Sequence, residues 1–130
     1  MIGRAYLSLV GLLYIALGIW CIVQPIKLSR KVGFELLGGS GQSEFLVVYG
    51  GLEFAIGLLF LMPLFWKEYT GIMLLSCLVI HGCLVAFRTA SLFRYSDIGP
   101  FTISLFKGEC LLLASSAIVF WWVGGLAPRR

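Results

Sequence analysis

The chain has 130 residues, 60% of them hydrophobic and 12% charged, with a formal net charge of +4. Soluble domains run about 45–50% apolar and about 25% charged, so this composition excludes an ordinary water-soluble domain and points to lipid. The basic excess fits loop Lys and Arg beside anionic headgroups. No basic face large enough for a duplex lies outside the apolar stretches, so no nucleic-acid partner is expected.

Four apolar stretches follow in chain order, over residues 5–23, 45–62, 70–87 and 102–123. Each is long enough to cross a hydrocarbon layer of about 30 Å. The expected fold class is all-α: a transmembrane four-helix antiparallel bundle, with residues 1–130 forming one integral membrane domain.

Arg4 precedes the first span, as in the charged region of a signal peptide. Its 19-residue apolar run exceeds the roughly 7–15 of a signal peptide, and no A-x-A site follows, so it reads as a retained helix. It ends at Gln24-Pro25, because proline cannot continue a helix. Arg4, Gly11, Tyr14, Gly18 and Cys21 recur on one face. Leu7, Leu9, Leu12, Leu13 and Ile15 are expected to fill much of the rest. Small residues on one stripe let neighbouring helices approach closely in lipid.

The loop over residues 24–44 mixes Lys27, Arg30 and Lys31 with Leu28, Val32, Phe34, Leu36 and Leu37. This reads as a short interfacial amphipathic segment. Gly38-Gly39-Ser40-Gly41 is expected to break structure, with Ser43 capping the second span and Glu44 in its first turn.

The second span carries Tyr49, Gly50, Glu53 and Gly57 on one side. The short turn over residues 63–69 makes the second and third spans antiparallel neighbours. Cys77, His81 and Arg88 follow one stripe of the third span. The loop over residues 88–101 holds Arg94, Tyr95, Asp97, Gly99 and Pro100. The fourth span carries Lys107, Glu109, Ser115 and Ser116, then Gly124-Gly125 and a Pro128-Arg129-Arg130 tail. Trp66, Tyr69, Trp121, Trp122 and Tyr6 are expected at one membrane interface, and Trp20 and Tyr95 at the other.

Alternating helices put Glu53, His81 and Glu109 about 12, 9 and 10 Å from the same membrane face. A charge at the bilayer centre costs on the order of 2.5–3.5 kcal/mol on insertion scales, so such groups face the interior and find partners. The candidate pocket is Glu53, His81, Arg88 and Glu109, with Tyr49, Arg94 and Asp97 near its mouth. Glu53 either binds a proton or ligand, or ties to Arg88, Tyr49 or His81. Arg88 is the better partner for Glu109, since a guanidinium matches a carboxylate with two parallel bonds. His81, the one histidine, reads more simply as a hydrogen-bonding core residue than as a ligand. Glu53, Glu109 and His81 as a metal set lack Glu-x-x-His spacing, so no metal and no cofactor is expected. The four cysteines, Cys21, Cys77, Cys83 and Cys110, lack C-x-x-C spacing and read as small hydrophobes, with a Cys21–Cys77 bridge left open. Ser115 and Ser116 are expected to bond backbone carbonyls or pack between helices.

The run from Glu44 to Glu53 (EFLVVYGGLE), followed by Ala55-Ile56-Gly57, resembles the DUF4345 family of small four-helix bacterial membrane proteins, itself similar to DoxX-like proteins. Arg88, Asp97, Pro100 and Glu109 extend the resemblance over residues 44–123. It departs at Leu46, where family members often carry arginine. The resemblance implies a four-helix bundle in the bacterial cytoplasmic (inner) membrane and no established activity. DoxX-like relatives imply membrane redox partners such as quinone-linked systems. Basic residues are nearly balanced between the two faces. If Arg88, Arg94 and Lys107 serve the buried carboxylates, the positive-inside rule places both termini in the cytoplasm.

Three functions suit these residues. The first, asking least of them, is a binder of a lipid-like or quinone-like ligand, or an accessory subunit of a larger membrane complex. The second is a quinone-linked oxidoreductase component fed by a partner, since one histidine cannot hold a haem pair. The third is a proton-coupled transporter built as an oligomer. The expected partners are membrane lipids and a membrane protein or second copy of the chain.

Overall fold

The computed structural model describes residues 1–125. Among these residues the chain forms helices and no strands: α1 Ile2–Val23, α2 Pro25–Lys31, α3 Gly38–Leu64, α4 Thr70–Arg94 and α5 Pro100–Trp122. All except α2 are long and apolar enough to cross a membrane. The Pro128-Arg129-Arg130 tail, counted above for orientation, lies outside the described residues.

Two helix ends follow directly from glycine. Gly33 after α2 and Gly124 after α5 take left-handed φ angles of 87° and 84°. Each closes a Schellman motif. After α2, Gly33 N donates to Arg30 O and Phe34 N to Ser29 O; after α5, Gly124 N donates to Trp121 O and Gly125 N to Phe120 O. The bonds satisfy carbonyls that the helix ends would leave orphaned. Pro25 and Pro100 open α2 and α5, where a missing N–H costs nothing.

Two spans run further than the sequence suggests. α3 starts at Gly38 rather than residue 45, so Gly38-Gly39-Ser40-Gly41 is helical and Ser43 lies inside the helix, not at its cap. Each glycine costs a helix about 1 kcal/mol. In an apolar medium every amide must bond within the chain, and Gly41 N finds Leu37 O at 3.1 Å. α4 continues to Arg94 rather than stopping at residue 87. Beyond residue 87, no glycine or proline interrupts it before Gly99-Pro100. The loop over 88–101 thus shrinks to residues 95–99.

α1 packs chiefly on α3, and α4 on α5. The α1–α3 seam is made of glycines. A Cβ on Gly11 would lie 2.8 Å from Gly57 O, and one on Gly18 would lie 2.9 Å from Gly50 O. Backbone meets backbone here, the close approach that small residues permit in lipid. The two helix pairs join through a core of Leu7, Val10, Tyr14, Phe60, Leu74 and Cys77. Leu7 is fully buried and belongs to the small-residue stripe rather than to the rest of the helix surface where it was expected. It stands one heptad before Tyr14, on the same stripe as Gly11, Gly18 and Cys21. A second cluster, Cys21, Leu28 and Phe45, ties α2 back onto α1 and α3. Leu28 turns inward while Lys27, Arg30 and Lys31 stay exposed.

Tyr6 also departs from expectation. Its hydroxyl lies 2.9 Å from Ser115 Oγ and 3.2 Å from Leu112 O, so it bonds α5 rather than joining the outer aromatic ring. Trp66, Tyr69, Trp121, Trp122, Trp20 and Tyr95 are exposed. Ser115 and Ser116 donate to Leu111 O and Leu113 O, both at 2.8 Å.

Candidate functional site

α4 places His81 and Arg88 seven residues apart, two turns along one face. His81 is fully buried. Its Nδ1 lies 2.7 Å from the Cys77 carbonyl, and its Nε2 lies 3.2 Å from the Tyr14 hydroxyl. A carbonyl only accepts, so Nδ1 carries a proton. With the ring neutral, Nε2 accepts from the Tyr14 hydroxyl; with it protonated, Nε2 donates to the same oxygen. Both nitrogens are therefore engaged.

Tyr14 escaped the list of site residues above. The signal was present: it is the one phenol on the small-residue stripe of α1. Its ring also meets His81 and Phe60 edge-on, at centroid distances of 5.8 and 5.9 Å. Tyr14→Phe is expected to lower stability by about 1–3 kcal/mol, the cost of leaving a buried acceptor unpaired. Chemical unfolding in micelles reads this, and an unchanged midpoint would remove Tyr14 from the His81 bond.

Arg88 lies across from Glu109 on α5. Nε donates to Oε2 and Nη2 to Oε1, each at 2.6 Å. This is the two-pronged geometry in which guanidinium and carboxylate match best. The side chains are 26% and 13% exposed, so the pair is only partly screened.

Glu53 differs. Among the described residues its carboxyl makes no side-chain hydrogen bond and no ion pair. Two of the expected ties are committed elsewhere, Arg88 to Glu109 and His81 to Cys77 and Tyr14; the Tyr49 ring stacks on Phe45 at 4.7 Å and meets Phe34 at 5.7 Å. Leu46–Leu52, directly before Glu53, is a π-helical turn within α3. Such turns re-aim side chains and recur at functional sites.

These groups share one cavity of about 430 Å³. It lies within the range of small-molecule sites, about 300–1,000 Å³. Tyr49, Glu53, His81, Arg88 and Glu109 line it, among walls that are mainly apolar: Leu13 and Leu17 of α1, Leu28 of α2, Leu84 of α4, and Leu105 and Leu112 of α5. At its rim Lys31 Nζ sits 5.5 Å from the Trp20 ring centre and 5.4 Å from that of Phe101. Both rings line the cavity. A shallower recess of about 300 Å³, lined by Cys83, Leu84, Phe87 and Arg88, shares Leu84 and Arg88 with it.

Arg94 and Asp97 do not line the cavity. Both are exposed; Arg94 lies over the Tyr95 ring at 5.8 Å and Asp97 takes a φ of 63° in the connection to α5. Lys107 is exposed on α5. Glu53, Glu109 and His81 share the cavity but form no metal-ligating group among the described residues. All four cysteines are free, with Cys21 and Cys77 in separate core clusters.

Four membrane-length helices around a mainly apolar cavity that holds a few polar groups define a small membrane protein. Compared with family models, curated proteins and solved structures, the chain matches none.

Proposed function

We propose that this chain is an integral membrane protein, its four spans forming an antiparallel bundle, that binds a lipid-like ligand in its cavity. The observation that carries the reading is one mainly apolar cavity, walled by every helix, into which Glu53 and the Arg88–Glu109 pair look. Apolar walls with a few fixed polar groups suit an amphiphile.

The antiparallel arrangement is supported by register. Gly11 meets Gly57 while Gly18 meets Gly50, so contacts descend α3 as they ascend α1. Gly3 faces Thr70, Leu74 and Val123, which gathers the start of α1, the start of α4 and the end of α5. We also read the chain as a relative of the DUF4345 family, in a bacterial inner membrane with cytoplasmic termini. Two glycines of the resembling run, Gly50 and Gly57, are the ones that touch α1. A quinone-linked role would need a free nitrogen on His81, and Tyr14 and Cys77 hold both, which favours binding over redox work.

Protein purified in dodecyl maltoside is expected to carry one tightly held amphiphile per chain, read by native mass spectrometry. Protein that carries none and takes none from added total membrane lipid would overturn the proposal.

A further inference from the structure

We infer that the ligand presents an ammonium headgroup, which Glu53 receives; this rests on the binding role proposed above. With Glu53 ionised, the charges inside the cavity do not balance. Arg88 and Glu109 neutralise each other through two bonds of 2.6 Å. His81 has both ring nitrogens taken, Nδ1 by the Cys77 carbonyl and Nε2 by the Tyr14 hydroxyl. Lys31 stays outside, its ammonium set against Trp20 and Phe101. Glu53 is left as one carboxyl with no protein partner among the described residues, lining a mainly apolar space. An isolated carboxylate in such surroundings is strongly disfavoured unless it takes up a proton or a cation or donor meets it.

An ammonium supplies both the charge and the donors that Glu53 lacks. The surroundings also suit a cation. The Tyr14, Phe45 and Tyr49 rings line the same cavity, and aromatic faces attract ammonium groups. The protein already does this once at the rim, where Lys31 sits over two cavity-lining rings. An anionic headgroup would meet the opposite situation. It would face the unpaired Glu53 and find Arg88 held by Glu109.

Two sources offer this chemistry: a free long-chain amine and the headgroup of an aminophospholipid. Full-length protein in dodecyl maltoside, freed of bound lipid, would be titrated with hexadecylamine, phosphatidylethanolamine, hexadecyl sulfate and hexadecanol. Binding would be read by native mass spectrometry. The two ammonium probes are expected to bind at one per chain and to outcompete the sulfate and the alcohol. Glu53→Gln is expected to weaken them by about tenfold or more. Glu53→Asp, which keeps the charge, is expected to recover part of that. The tighter of the two probes assigns the source. Hexadecyl sulfate or hexadecanol binding as tightly as the amines, or amine binding indifferent to Glu53→Gln at an unchanged unfolding midpoint, would overturn the ammonium assignment. Either result would leave the binding role standing. Failure of every probe to bind would instead sink the binding role itself.

Discussion

Arg88→Met is expected to destabilise the protein by about 3 kcal/mol, because it leaves Glu109 without its cation on a membrane-spanning helix. The bidentate geometry sets this expectation: two bonds of 2.6 Å vanish together. Partial exposure of the pair, 26% and 13%, holds the effect near the lower end of the range for buried pairs, about 3–5 kcal/mol. Arg88→Lys should recover little, since an ammonium cannot make the two parallel contacts. The double variant Arg88→Met/Glu109→Met is expected to regain most of the lost stability, because removing both charges removes the desolvation cost. The checking measurement is denaturant unfolding of all four proteins, wild type included, in the same micelles. A double variant no more stable than Arg88→Met would show that the two side chains do not act as a pair.

The second large effect lies at the α1–α3 seam. A Cβ on Gly57 would stand 2.6 Å from Ile15 Cγ1, 2.7 Å from Gly11 O and 2.9 Å from Ile15 N. Two of these atoms are backbone and cannot swing aside. Gly57→Leu is therefore expected to cost about 3 kcal/mol or more, at the upper end of overpacking. Gly57→Ala should cost less, since it meets the same Cβ contacts but adds no atoms beyond them. Thermal unfolding by circular dichroism reads both. A Gly57→Leu midpoint equal to the wild type would mean that α1 and α3 do not meet at this seam.

Much of this was legible before any coordinates. Apolar run length located four membrane-length helices, because lipid thickness sets the length a span must have. The cost of charge in lipid led to Arg88 as the partner of Glu109, and the two meet as expected. The small-residue stripe of α1 marked Gly11 and Gly18, which make the closest approach to α3.

Other features were hidden for physical reasons. Four residues of Gly and Ser look like a break, but only the three-dimensional setting tells whether their amides bond within the helix, as at Gly38–Phe45. Arg94 and Asp97 were grouped with the pocket by proximity in sequence to Arg88. The extra turns of α4 carry them out of the cavity. The isolation of Glu53 could not be read from spacing, since Arg88 and His81, two of its candidate partners, are taken by other groups. The π turn before Glu53 has no signature in hydrophobic periodicity. Tyr14 carried a signal, its place on the stripe, which composition alone does not separate from ordinary packing.

The central claim is that the polar groups look into a fillable space held open within the protein. Gly108 tests it. This residue lines the cavity on the α5 face shared by Phe101, Ser104, Leu105 and Leu112, and a Cβ there would meet nothing within 4 Å. In Gly108→Phe the unfolding midpoint should stay at or above that of the wild type, because a ring enters open space and glycine leaves a helix. The amphiphile bound per chain, measured by native mass spectrometry, should fall to near zero. Undiminished occupancy with phenylalanine at residue 108 would contradict the account.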